Sequence, residues 1–218
     1  SLTDTVFCNN YIYESEHVII EELVEGTMIN LFWDNTLNKP KCDESNKENE
    51  KEGNKESFGG WECATRSIVG ANTSFWRDSQ NESLTFRHMF LEACGMCGLE
   101  FEKLNKSICY SFVLQHPSNK IVIPIKDPML YLIECYKICE IDNNIFVQYF
   151  EPHSYTKVNP SEFEFTTVSL PKQIPKEDSY EKLKEVYNTG NFTYDKMGIV
   201  IKNTVTGNRT KIRNPIYE

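Results

Sequence analysis

Eight cysteines and four histidines are the side chains with the widest chemical reach in this chain. Cys94 and Cys97 form a C-x-x-C pair, and Cys135 and Cys139 lie four apart, so together they could supply a four-thiolate zinc set. Their settings argue otherwise. Cys94 and Cys97 fall within an apolar helical spacing that also takes in Phe86, Met89, Phe90, Ala93, Met96 and Leu99, and Cys135 and Cys139 lie in a strand-like run. The thiols therefore read as small buried residues of a reducing compartment, with no metal site and no disulfide framework assigned. His116, beside Pro117, reads as a hydrogen-bonded turn residue, and His17, His88 and His153 have no metal-ligand spacing. No Ser-His-Asp set, Walker loop or dinucleotide fingerprint occurs.

Aromatic planes and carboxylates offer a second chemistry. Trp33, Trp61, Phe75 and Trp76 flank one predicted hairpin, with Glu21, Glu22 and Glu25 just before it. Indole planes can sandwich a base, and a methylated, cationic base gains further from the ring faces and a nearby carboxylate. An mRNA cap meets those terms. For any single Trp, the competing reading is a packing anchor at a strand end. The net charge of −9 argues against a domain that grips long stretches of nucleic acid by sheer charge. A short RNA end, a single nucleotide or a protein partner stays compatible with it. Six acidic residues and three lysines between positions 43 and 56 form a solvated stretch, so residues 36–58 are expected to be a flexible acidic loop.

These residues need elements to position them. Strands are predicted at 18–20 and 27–33, with a turn at Glu25-Gly26 between them, and 61–66 returns beside 27–33. The spacing of Leu84, Phe90, Cys94, Cys97 and Phe101 predicts an amphipathic helix over 83–104. Residues 109–114, 121–125 and 129–138 are β-rich, 152–175 is Pro-punctuated and expected to be irregular, and 179–187 is a short helix ending at Gly190. A hairpin about Thr206-Gly207-Asn208 joins 198–203 to 209–212. The pattern predicts one α+β domain over 1–218 with mainly antiparallel sheets. No apolar run approaches the roughly 20 residues of a membrane span, and no signal peptide opens the chain, so a cytoplasmic protein is expected.

Four segments, in order, resemble the motif series of the RNA-ligase type of covalent nucleotidyltransferase, best known from bacteriophage. Residues 21–29, Glu-Glu-Leu-Val-Glu-Gly-Thr-Met-Ile, are similar to the family's Lys-x-Asp-Gly-Ser element and the strand after it. Ala64-Thr65-Arg66-Ser67 is similar to its Ser-Lys-Gly-Ser segment. Residues 110–122, Tyr-Ser-Phe-Val-Leu-Gln-His-Pro-Ser-Asn-Lys-Ile-Val, resemble Phe-Glu-x-x-x-Pro-x-Asn-Arg-Ile-Val and are the most specific match. Met197-Gly198-Ile199-Val200, Lys202 and then Lys211-Ile212-Arg213 resemble Glu-Gly-x-Val followed by Lys-x-Lys. The Phe-Val-Leu-Gln-His-Pro signature looks like the version carried by large DNA viruses. The resemblance implies a nucleotidyltransferase fold with a nucleotide cleft.

It also exposes three losses. The family's lysine nucleophile, which attacks the α-phosphate of ATP, corresponds to Leu23, and no lysine precedes Lys39. The two carboxylates of the family's site correspond to Val113 and Met197. Apolar replacements relieve the cost of a charged pocket that no longer works. The resemblance therefore implies no catalytic residue, no metal and no cofactor. It implies a non-catalytic module binding a nucleotide or RNA 5′ end in the former cleft, with protein partners in a larger assembly also open. Glu25, Arg66, Lys202, Lys211 and Arg213 match positions that contact ribose and phosphates in the family, and Trp33, Trp61 and Trp76 are the candidate base platforms. The alternatives are an ATP-dependent RNA ligase with a substitute nucleophile, and a structural subunit whose cleft is filled by side chains.

Overall fold

A computed structural model of the chain describes residues 2–36, 59–66, 85–119, 124–188 and 197–217. The fold is α+β, with two antiparallel sheets and, among the described residues, four α-helices. The first sheet has the order β7-β1-β8-β9, built from β1 (Val18–Glu22), β7 (Gln173–Ile174), β8 (Gly198–Asn203) and β9 (Arg209–Arg213). The second has the order β3-β2-β4-β5-β6, from β2 (Thr27–Asp34), β3 (Gly60–Ala64), β4 (Cys109–Gln115), β5 (Met129–Ile141) and β6 (Asn144–Phe150). Among the described residues no helix is long and apolar enough to cross a membrane.

Strand alternation divides each sheet into a covered face and a cleft face. In the first sheet, Val18, Ile20, Ile199, Ile201 and Ile212 pack with Phe7 of α1 (Asp4–Asn10) and with Tyr180 and Leu183 of α4 (Tyr180–Asn188). In the second, Ile29, Leu31, Tyr110, Phe112, Leu114, Leu130 and Leu132 pack against α2 (Phe86–Cys97), with Tyr155 of α3 (Pro152–Val158) in the same core. Each sheet thus has its own helix-covered core. The residues between them in sequence, Glu21, Val200, Arg209, Lys211 and Arg213 on one sheet and Met28, Val113 and Glu134 on the other, line a shared cavity.

The hairpins predicted at 27–33/61–66 and 198–203/209–212 are formed by β2–β3 and β8–β9. Other expectations need correction. The helix predicted over 83–104 ends at Cys97, because Gly98 takes a left-handed conformation (φ 73°) and its N–H closes on Cys94 and Gly95. Only a 3-10 turn, Phe101–Lys103, follows. Residues 152–158, expected to be irregular, are helical. Pro152 stands at the start of α3, where a missing N–H costs nothing, and the Glu151 carboxylate caps the N–H groups of His153 and Ser154. The strand starting at 129 runs to Ile141 and turns back through Asp142 and Asn143, both at positive φ, into β6. That turn chemistry in the sequence was the missed signal. Of the strand predicted over 121–125, positions 121–123 lie outside the described residues, as do 37–58 of the acidic loop and Gly190.

Candidate functional site

The chain between β1 and β2, Leu23 to Gly26, crosses between the sheets and forms the floor of the cleft. Gly26 makes the crossing: a Cβ there would stand 2.4 Å from the Leu114 carbonyl oxygen, at φ 153°. Gly198 does the same at the start of β8, where a Cβ would meet the Ile212 carbonyl oxygen at 2.3 Å, at φ 145°. Two glycines of the resembling motifs therefore sit where one backbone presses on another, which no other residue permits.

On one side of this floor lies a cavity of about 370 Å³ that brings together Glu25, Arg209, Lys211 and Arg213 with Leu23 and Val113. The three cations occupy alternate positions of β9 and so share one face of an edge strand. Arg209 is bound to the Glu134 carboxylate across the cleft. Among the described residues no ion pair engages Lys211 or Arg213. Partial burial, and then the charges of Arg213 and Arg209, push the Lys211 amine below the usual lysine range, with Glu25 opposing. On the other side lies a second cavity, about 500 Å³, with an apolar wall of Leu23, Ile125, Tyr131, Ile174, Tyr187 and Met197. Glu22 and Glu25 line both, and Gln115 holds the floor by donating to the Glu25 carbonyl at 2.9 Å.

Lys202 is placed differently from its expected phosphate contact. Its ammonium is 2.9 Å from Glu21 and 3.9 Å from Glu151, and its side chain is only 1% exposed. His153 joins this group: Nδ1 faces Glu151 Oε1 at 2.6 Å and Nε2 faces the Pro171 carbonyl at 2.9 Å. Both neighbours only accept hydrogen bonds, so both ring nitrogens carry protons and the ring is an imidazolium. Accordingly the Glu151 hydrogen bond raises the His153 pKa above its ordinary value, against the opposing effect of burial. Burial alone would raise the Glu151 carboxyl. The His153 ring, the backbone N–H groups of His153 and Ser154, and Lys202 outweigh it and hold it at about 2. Two anions and two cations balance inside the protein. Glu21, Glu151 and His153 also have the spacing of a metal site, but both imidazole nitrogens are occupied as donors and Lys202 already fills the place of a cation. Of the four groups only Glu21 lines the first cavity, and its second carboxylate oxygen is buried without a hydrogen-bond partner among the described residues.

Trp33 and Trp61, the candidate base platforms, pack against each other instead of on the cavities. They pair across β2 and β3 with ring centres 5.7 Å apart, edge to face, and Trp61 packs on Phe101 and Tyr110. The Lys106 ammonium covers the Trp33 ring at 4.0 Å. Neither indole lines either cavity. Arg66 is exposed beyond β3 and lines neither, and Trp76 lies outside the described residues. Of the predicted site residues, the structure thus brings together Glu25, Lys211 and Arg213. Arg209, Glu134, Tyr131 and Tyr187 were missed. Arg209 had a signal in its two-residue spacing from Lys211, whereas the two tyrosines meet only through the fold.

His116 is buried, accepts the Ser118 N–H at Nδ1 and therefore donates from Nε2 to Glu92, which ties the turn after β4 to α2. All described cysteines are free, and among the described residues no group of three or more potential metal ligands includes a thiol. No family model matches this chain, and no curated protein matches it.

Proposed function

We propose that this protein is a non-catalytic module, of the RNA-ligase-like nucleotidyltransferase type, that binds a nucleotide or a 5′-phosphorylated RNA end between its two sheets. The observation that carries this reading is the pairing of Lys211 and Arg213, free of ion-pair partners among the described residues, with an adjoining apolar cavity across the Leu23–Gly26 floor. A cation pair on one side suits phosphate. The tyrosine-containing wall on the other suits a base, stacked on Tyr131 or Tyr187 in place of the indoles. A hydrocarbon at position 23 cannot attack phosphorus, and Val113 and Met197 cannot hold a metal. An open cavity of this size speaks against a cleft filled by side chains.

A second reading rests on Lys211. It lines the cavity with Leu23, and its depressed pKa makes more of the amine available as a nucleophile. In that reading Lys211 Nζ attacks the α-phosphorus of a nucleoside triphosphate, a P–N bond forms and pyrophosphate leaves.

One experiment separates the two. Titration calorimetry with ATP, GTP, methylated cap analogue and 5′-phosphorylated RNA, alongside intact-mass measurement after incubation with magnesium and each triphosphate, should give binding and no mass gain. Added mass equal to one nucleoside monophosphate establishes the second reading; no binding of any ligand overturns both.

A further inference from the structure

No residue from 136 to 149 belongs to either core, and β6 is the outer edge of its sheet. All five residues from Asn144 to Gln148 are exposed, with Ile145 at 72%, Phe146 at 43% and Val147 at 62%. Ile138 of β5, opposite Val147, is 58% exposed on the face of Ile145 and Val147, while Phe146 stands on the other face of the strand. Edge strands that must stay single usually carry a lysine, a proline or a bulge. β6, Asn-Ile-Phe-Val-Gln-Tyr-Phe, has no charge and no proline, and its register with β5 is unbroken. Among the described residues, nothing else pairs with its outer backbone edge.

The order of side chains says what fits there. Asn144, Ile145, Phe146, Val147 and Gln148 read amide, β-branched, aromatic, β-branched, amide in either direction. We infer that β6 pairs antiparallel with β6 of a second copy of this chain, about a two-fold axis through Phe146. In that register Ile145 lies opposite the partner's Val147, the two Phe146 rings meet, and Asn144 faces the partner's Gln148. The Phe146 pair is of the favourable aromatic kind, and the other pairs set apolar against apolar and amide against amide. Only a self-complementary strip satisfies a two-fold interface, and the contact completes a sheet of ten strands. It also brings no charge of β6 against its own like, which matters for a chain of net charge −9.

Sedimentation velocity of the full chain, from low micromolar to several hundred micromolar, tests this. The expected mass rises to twice 25.4 kDa. Added salt should strengthen the dimer by screening the repulsion of two acidic copies, whereas a complex with a basic partner would weaken. Phe146→Lys and Phe146→Glu should each remain monomeric and folded by circular dichroism, because position 146 is exposed. Mixing the two should restore the doubled mass through Lys–Glu pairing across the axis. A chain that stays at 25.4 kDa throughout overturns the proposal, as does a dimer that Phe146→Lys leaves intact.

Discussion

Lys202 holds its ammonium 2.9 Å from the Glu21 carboxylate, with both side chains at most 2% exposed, on adjacent strands behind the floor of the cleft. Glu151 lies 3.9 Å from the same ammonium and belongs to the segment that leaves β6, so the pair ties one sheet to the other. Lys202→Met strands two buried carboxylates and should cost about 3–5 kcal/mol in urea unfolding. The double variant with Glu21→Leu should cost clearly less than the sum of the single changes. A loss below about 1 kcal/mol for Lys202→Met, the value of a surface pair, would show the pair to be incidental.

The same cluster sets a pH dependence. His153 has a raised folded pKa, so its contribution is complete below its unfolded value near 6.5 and is lost as pH rises through the folded value. Glu151 has a depressed one, about 2, so its contribution is complete above its unfolded value and fades as pH falls towards 2. Both contributions are whole between pH 5 and 6. The melting temperature should therefore fall as pH rises from 6 towards 9, and His153→Gln should flatten that limb. An unchanged slope in the variant would show that His153 is not the titrating group.

These relationships mark how far the sequence can be read. Hairpins announced themselves through alternation and turn residues, so β2–β3 and β8–β9 were legible, and the alternation of Lys211 and Arg213 put both on one face. The second cavity wall was not legible, since Tyr131 and Tyr187 lie on separate elements and meet only after the sheets close. The pairing of Lys202 is illegible for a related reason. The lysine is two residues after Val200 on the cleft face, as a phosphate ligand should be, but buried carboxylates from β1 and the start of α3 claim it first. Trp33 and Trp61 were indistinguishable from base platforms until β2 and β3 turned them against each other.

Phosphate capture should depend on the face of β9. Lys211→Ala and Arg213→Ala should each weaken binding of a 5′-phosphorylated RNA by roughly 10- to 100-fold, the worth of a charge-assisted contact. Each should also reduce the slope of log K against log salt by about 0.7. Trp33→Ala and Arg66→Ala, which alter neither cavity, should leave affinity unchanged. Equal losses from all four variants would place the ligand elsewhere.

Two glycines should respond in opposite directions to alanine. Gly198→Ala drives a methyl onto the Ile212 carbonyl and towards Arg213, so it should destabilise by more than about 1 kcal/mol and weaken phosphate binding together. Gly95, exposed on α2 with open space around it, should gain about 0.5–1 kcal/mol as alanine and leave binding alone. Thermal unfolding of the two variants side by side checks both.

On the reading proposed above, a lysine at position 23 alone should not make the cleft catalytic. Leu23→Lys places an amine on the floor of the cleft, beside Val113 and near Met197. Attack on an α-phosphate also needs the charge of the departing pyrophosphate neutralised, and neither hydrophobic residue can hold the magnesium that would do so. With labelled ATP and magnesium the single variant is expected to show no protein adduct. The triple variant Leu23→Lys, Val113→Glu, Met197→Glu is the one in which a lysyl-adenylate could form, and its apo form should be less stable, since three charges then share a desolvated floor. Adduct on the single variant would mean that the remaining residues, Lys211 and Arg213 foremost, suffice to activate the phosphate, and the cleft would then be one substitution away from an enzyme.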